Sequence, residues 1–360
     1  MTITSERVSE ELTRQVSKVS QSVFDGSRLR VVLLVDVYDG AQQQFLEAYE
    51  QLCNQVASVP GHVSDQLCQS IENPSQWLIT SEWESAPPFL AWVNSEEHVR
   101  MVQPLHSCVR DTRSLRFHIV RETGSLPAGA RGEERRLQSS PRIGDGLIRH
   151  ALTFTVKPGS EPEVAKILAN YASPEAQADG TTRLCRTSLF MHGNRVVRAI
   201  EVRGDLLAAL RHVARQPEVR AVEEAINPYL EQERDLNDQE SARVFFTRAA
   251  LPAVHHVTVG ELPEAERHAL YYPAKSGQGM RLAEALAQYD EAAAEDRGSP
   301  VLRSTVFQRD DVVVRLVDMR GDGGGASVLP GDGQAAELKK LLDGAVVRMD
   351  LITDRRSPDA

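Results

Sequence analysis

Val31 to Val37 is a nearly continuous apolar run rich in valine, the pattern of a buried strand, and Asp39-Gly40 ends it. Phe45, Tyr49, Leu52 and Val56 then recur at helical spacing across Gln42–Val59, and Pro60-Gly61 stops that helix. His62–Ser70 and Gln76–Glu84 read as two strands about the Asn73-Pro74 turn. Phe89, Trp92 and Val93 share one face of a second helix, and Leu115–Arg121 makes a last strand. The order is βαββαβ, the split βαβ unit.

Further along, the pattern repeats itself. RHALTFTVKPG (Arg149 to Gly159) returns as RHALYYPAKSG (Arg267 to Gly277), and the stretch Arg186 to Asp205 returns as Arg303 to Asp322. Ala165, Leu168, Ala169 and Tyr171 recur as Ala283, Leu286, Ala287 and Tyr289. The period of about 117–118 residues is that of a duplicated domain with the element order of the first unit. In the first copy, helices are expected over Leu206–Arg215 and Pro217–Gln232, then a strand at Ala242–Thr247. The second copy carries a Gly-rich stretch, Gly321–Gly333, a short helix near Gln334–Leu342 and a final strand at Ala345–Thr353. The chain is therefore expected to be α+β, with three ferredoxin-like βαββαβ units of the dimeric α+β barrel type. The expected divisions are a flexible N-terminal arm (1–27), a first domain (28–122), a Gly- and Pro-containing linker (123–146), a second domain (147–250) and its degenerate copy (251–360). Two copies can close a barrel within one chain, so the odd unit calls for a partner and a homodimer is expected.

Composition removes several classes of function. The formal charge is -10, from 41 basic and 51 acidic residues. The densest basic cluster, Arg131 to Arg136, contains two glutamates, so no nucleic-acid partner is expected. Cys53, Cys68, Cys108 and Cys185 form no CxxC pair, which argues against a zinc site or disulfide framework and fits a reducing compartment. No apolar run approaches the roughly 20 residues that span a bilayer, and the polar N-terminus lacks a signal-peptide core. A cytoplasmic protein without a membrane partner is expected. No HExxH appears, the run near Gly323–Gly325 lacks a P-loop ending, and His255-His256 would point to opposite faces of a strand, so no metal or nucleotide is expected.

Pro60-Gly61-His62 and Ser81-Glu82-Trp83-Glu84-Ser85, with Phe89, Ser95 and His98 after them, make residues 28–122 resemble an antibiotic biosynthesis monooxygenase domain. The run from Ala209 to Phe246 resembles the tetracenomycin-type aromatic polyketide cyclases. The arrangement of one such oxygenase-like domain before two cyclase-like units resembles the SchA/CurD-like proteins of spore-pigment and pentangular polyphenol pathways, over nearly the whole chain. Against the cyclase pattern, a His-Asp pair is replaced by Tyr171-Ala172 and Tyr289-Asp290, and a strand histidine by Arg198 and Arg315; a strand-start arginine survives as Arg186 and Arg303.

The resemblance implies cofactor-free oxygenation of an anthrone-like ring, with molecular oxygen as co-substrate, and ring closure by aldol chemistry. Oxygenation requires an apolar site, polar anchors and a proton acceptor. Ring closure requires a base and a positive group for the enolate. Trp77, Ile79, Ser81 and Trp83 fall on one strand face, and with Trp92 and Phe89 they could stack a flat polycycle or simply pack the core. The catalytic candidates are His98, His62 and Trp83 in the first unit, with Arg198 and Arg186 in the second. The substrate-binding candidates are Trp77, Ser81, Trp92, Phe89, Tyr171, Tyr289 and Arg315. Glu201 and Asp205 are the candidate structural partners of Arg198. The expected partners are an aromatic polyketide, a second copy of the chain and other polyketide cyclases. Two rival readings stay open, a cyclase alone and a non-catalytic partner of separate cyclases.

Overall fold

The computed structural model describes residues 18–119, 144–170, 172–260, 265–296, 298–321 and 332–357. Most of the expected arm, the linker as far as residue 143, Tyr171 and the Gly-rich run over 322–331 lie outside them. The described chain divides into two compact units, 23–119 and 18–22 with 144–357. The final stretch of the expected arm is not irregular, since Val19–Ser22 (β1) pairs in register with Ser22 opposite His255.

The first unit is β2 (Leu29–Val37), α1 (Gln42–Val56), β3 (His62–Gln69), β4 (Gln76–Trp83), α2 (Ala86–Val93), α3 (Glu96–His106) and β5 (Val109–His118). Its antiparallel sheet runs β3-β4-β2-β5. Odd positions of β2 and β4 face the helices and are buried, among them Val31, Val35, Trp77, Ile79 and Trp83. Phe45, Ala48, Leu105 and Cys108 complete a core with Trp77 and Ile79. Val32 and Leu78 lie on the opposite sheet face with Leu34, 43% exposed, and Phe117, 50% exposed.

The second unit holds both copies of the repeat. The first copy is β6 (Leu147–Thr155), α4 (Glu161–Ala169), β7 (Arg183–His192), β8 (Arg195–Arg203), α5 (Leu206–Ala214), α6 (Pro217–Ile226), α7 (Gln239–Ala249) and β9 (Ala250–Thr258). The second is β10 (Glu266–Pro273), α8 (Gly279–Glu295), β11 (Val301–Arg309), β12 (Val312–Met319), α9 (Asp332–Leu341) and β13 (Val347–Arg356). The strand expected at Ala242–Thr247 is instead helix α7, and the strand follows it at β9. Val244, Phe245 and Phe246 favour a strand locally, but Phe245 packs against Phe154 and the Arg234 guanidinium, and tertiary contact overrides propensity.

Each copy orders its strands as the first unit does, β7-β8-β6-β9 and β11-β12-β10-β13. The fourth strand of each copy then pairs with the second strand of the other, β9 with β11 and β13 with β7. Eight strands thus close into a barrel, which removes the sheet edges. Its interior has an apolar layer with residues from all eight strands, including Ala151, Phe190, Val197, Leu251, Ala269, Phe307, Val314 and Met349.

Above that layer lies a buried ionic network. Arg267 donates to Asp318 (2.6 and 2.9 Å) and Glu201 (2.7 Å), and Arg186 donates to Asp318 (3.1 Å) and Asp354 (2.8 Å). Arg303 lies 3.4 Å from Glu201, and Arg149 donates to Asp145 (3.1 Å). Burial alone would push the Asp318 carboxyl up, but Arg267, Arg186 and Arg303 reverse that and bring it down to about 2. Glu201 is likewise held far below the carboxylate range by Arg267, Arg303 and Arg149 against the opposing effect of burial.

Removing one partner of such a network strands buried charge, so Glu201→Gln should cost about 3–5 kcal/mol, read as a lower urea midpoint for the barrel unit. The folded value of Asp318 lies below the unfolded one, so its contribution is complete above about pH 4–5 and fades as pH falls toward the folded value. Urea midpoints across an acid series should fall most steeply over that interval, and Asp318→Asn should flatten the fall.

Candidate functional site

In the first unit, the chain turn before β3 sets one side of a ring cluster. Gly61 has φ +84°, and a Cβ there would lie 2.6 Å from the Pro88 ring, so glycine is required both by backbone sign and by space. The Gly61 carbonyl accepts from Glu84 N at 2.8 Å. This close fit delivers His62 opposite Trp83 across the β3–β4 pair. The His62 ring meets Trp83 edge-on at 5.2 Å, Trp83 stacks on Trp92 at 5.4 Å, and Trp92 meets His98 edge-on at 4.4 Å. Phe89 lies 5.5 Å from Trp83, with the Arg116 guanidinium 5.3 Å above its ring. Ser95 caps α3 and accepts from His98 N at 3.1 Å, fixing where that histidine leaves the helix.

Five of the expected residues, His62, Trp83, Phe89, Trp92 and His98, therefore form one cluster. Trp83 is fully buried at its centre and donates its indole N–H to Ser81 Oγ at 3.0 Å, so these two form the backing of the wall rather than its accessible surface. Trp92 and His98 are half-buried, and the Trp92 Nε1 is buried without a hydrogen-bond acceptor. Trp77 does not join them. It sits six positions back along β4, about 20 Å away, against Phe45 at 5.3 Å in the core. A cavity of about 360 Å³ lies along the neighbouring side of α3, lined by Leu52, Met101, Gln51, Gln55, Glu97 and Arg100 with Pro104. None of the expected site residues lines it.

One functional candidate escaped the sequence reading. Asp65 faces the helices from β3, opposite Ser81, and its Oδ2 lies 2.7 Å from His62 Nε2. Burial raises the Asp65 carboxyl above its usual value, against the opposing effect of His62. The Tyr49 phenol is pushed up to about 12, by burial first and by the Asp65 charge second. An alternating polar strand on a sheet edge gives no sign that one of its aspartates turns inward.

In the barrel unit the arginine candidates are all paired. Arg186 belongs to the interior network. Arg198, on the helix-facing side of β8, meets Glu223 of α6 at 2.6 Å, and Glu223 also bonds Arg234. Glu223 is held low by Arg198 and Arg234 although burial opposes this. The suggested partners serve elsewhere, Glu201 inside the barrel and Asp205 as the cap of α5, accepting from Ala208 N at 2.8 Å. Arg315 is fully buried and donates to Asp290 at 2.5 and 2.9 Å, with Tyr289 5.0 Å beneath it. Asp290 has no counterpart carboxylate in the first copy, where Ala172 stands, and Glu223 supplies the missing charge from another helix. The expected substrate contacts Arg186, Arg198 and Arg315 are thus each set against a carboxylate, which an enolate would have to displace. His255 and His256 are both buried in β9, and His256 lies 2.9 Å from Thr305 Oγ1. Among the described residues no cluster of three or more His, Cys, Asp or Glu is placed to hold a metal ion, and no helix is long and apolar enough to cross a membrane.

Comparison with known proteins adds an independent finding. Residues 147–259 match the family described as SchA/CurD like domain, and residues 28–104 match antibiotic biosynthesis monooxygenase. A 42.8 kDa protein in the whiE locus of Streptomyces coelicolor is 63% identical, over 92% of this chain and 84% of its own length. Polyketide synthase CurD of Streptomyces cyaneus is 60% identical over 94% and 97%, and Protein SchA of Streptomyces halstedii is 57% identical over 98% and 99%. Among solved structures, SnoaB, a cofactor-independent oxygenase from Streptomyces nogalater, aligns with 28% of this chain and 98% of its own at 16% identity and a TM-score of 0.25, too low to carry weight.

The turn before β3 is the most sensitive support of the ring cluster. Gly61→Ala should destabilise the first unit by about 2 kcal/mol, and the ring-contact shifts of Trp83 and His62 in NMR spectra should move with it. Unchanged spectra and stability would contradict the packing described.

Proposed function

The chain belongs to the SchA/CurD-like family, and from that premise we propose that it acts in aromatic polyketide biosynthesis as a cofactor-independent oxygenase whose site is the ring cluster of the first unit. Its relatives' names and the monooxygenase match support the polyketide role. The observation that carries the site is the run of rings from His62 through Trp83 and Trp92 to His98, with the Trp92 N–H buried and lacking an acceptor. A buried donor left unpaired calls for a partner, and a ketone on a flat ring would supply one. Ring faces supply the stacking surface, and an unprotonated imidazole nitrogen can accept a weakly acidic ring proton.

The reaction follows from the substrate. An anthrone-type methylene loses a proton to a histidine, and the resulting carbanion passes one electron to molecular oxygen. The radical pair joins to form a carbon–peroxide bond. Proton return and loss of water leave a quinone carbonyl that carries one oxygen atom, the other leaving as water. The protein contributes orientation, an apolar wall and proton transfer, and the substrate itself supplies the electrons.

Ring closure has less support, because Arg186, Arg198 and Arg315 are each neutralised by carboxylates. The barrel unit is read as a self-closed support. In the first unit, the sheet face bearing Val32, Leu34, Leu78 and Phe117 corresponds to the face that each repeat buries against the other, which supports a homodimer through this face.

Purified protein given an anthrone under oxygen-18 gas should place one labelled atom in the new carbonyl, and Trp92→Ala should lower kcat/KM by roughly 10-fold or more. No label and no rate above buffer would reject oxygenation. Light scattering should give a dimer, and Leu34→Asp with Phe117→Asp should give a monomer; a monomeric parent protein would reject the proposed pairing.

A further inference from the structure

The ring cluster of the first unit has a guanidinium laid against it, on Phe89. We propose that this residue, Arg116, binds a carboxylate carried on the rim of the flat substrate. The proposal rests on the reading of the ring cluster as the substrate site and names the class of substrate taken there, an acidic polycycle rather than a neutral one.

Strand register sets the placement. Arg116 on β5 stands opposite Val31 on β2, and Val31 stands opposite Ser81 on β4, so the three share the helix-facing side of the sheet in one cross-strand row. Ser81 accepts the Trp83 indole N–H, and Arg116 ends the same row on the other edge of the sheet. The Arg116 guanidinium lies 5.3 Å over the ring of Phe89, which is itself buried at 5.5 Å from Trp83 and 6.4 Å from Trp92. Attraction to a ring face uses none of the guanidinium N–H groups, and these form a planar fork that matches a carboxylate. Arg116 is exposed, so a ligand can reach it.

No countercharge in the unit occupies that fork. Among the described residues no group hydrogen-bonds or ion-pairs with Arg116. Arg110 on the same strand meets Asp36 at 3.4 Å, and Arg186, Arg198 and Arg315 of the barrel unit are set against carboxylates. The carboxylate in the row of Arg116 is Asp65, opposite Ser81, and it stands three strands away, about 14 Å at ordinary strand spacing. A flat polycycle whose ketone meets the Trp92 N–H spans Phe89 and brings an acidic group on its far rim to Arg116. Water solvates an exposed guanidinium, so the pairing adds modest affinity and acts chiefly as a selector between acidic and neutral rings.

Calorimetry with two probes of one ring size reads this selection without turnover, anthraquinone-2-carboxylate and its neutral carboxamide. The wild-type chain should bind the carboxylate roughly 5-fold or more tightly at low salt, and the preference should shrink as salt is added. Arg116→Met keeps an unbranched stem over Phe89 and removes the charge, so it should bind both probes alike, while Arg116→Lys should keep part of the preference. An unmoved Trp83 indole N–H signal checks that the ring packing survives the substitution. Equal affinities in the wild type, binding of neither probe, or a preference that survives Arg116→Met would overturn the proposal. A preference lost in Arg116→Met without any oxygen-18 incorporation leaves the role of Arg116 standing and rejects the oxygenase reading, and incorporation without the preference does the reverse.

Discussion

Each βαββαβ sheet has two faces, and its helices cover only one of them. That single constraint organises the chain. In the duplicated half, two copies solve it together by exchanging fourth strands, β9 onto β11 and β13 onto β7, so that the uncovered faces meet inside a closed barrel. Closure brings charged strand positions into the interior, and they persist there because Arg149, Arg186, Arg267 and Arg303 are set against Asp145, Glu201, Asp318 and Asp354. The first unit has the same strand order and no second copy within its own residues. Its outer face keeps Leu34 and Phe117 exposed.

The two halves also differ in how their polar side chains are employed. Barrel arginines that could have held an enolate already hold carboxylates, from α6 in one copy and α8 in the other. Duplication has kept the arginine and changed the source of its countercharge. In the first unit the indole N–H groups of Trp77 and Trp92 are buried without an acceptor. The Trp92 indole belongs to the ring cluster, where the His62 imidazole sits beside a carboxylate. Chemistry is favoured where polar groups are poised rather than consumed.

Much of this was legible in the sequence. The alternation in β2 and β4, the Pro60-Gly61 stop and the internal repeat define three units with one strand order, and the described strands follow it. The ring cluster was legible too, because period-two spacing put Ser81 and Trp83 on one face and helical spacing put Phe89 and Trp92 together. What failed depended on distance. Trp77 shares the strand face of Trp83, yet six residues of extended chain separate them. Glu223 and Asp290 could not be chosen as partners of Arg198 and Arg315, because they arrive from helices whose rotation only the packed structure fixes. Asp65 was hidden by a register irregularity that reverses the expected facing of an edge-strand residue. Helix α7 was misread because its valine and phenylalanines prefer strands until Arg234 and Phe154 give them a helical place.

The central claim is that a flat aromatic substrate rests on the Trp92 side of the first unit. The chain contains three tryptophans, all in that unit, so its indole N–H signals report on that unit alone. Titrating an anthraquinone while following these signals is the most direct measurement. The account predicts that the Trp92 signal moves, saturating at the dissociation constant found by calorimetry, while Trp83, bonded to Ser81, and Trp77, at the far end of the strand, stay nearly fixed. Calorimetric binding that leaves the Trp92 signal in place would contradict it.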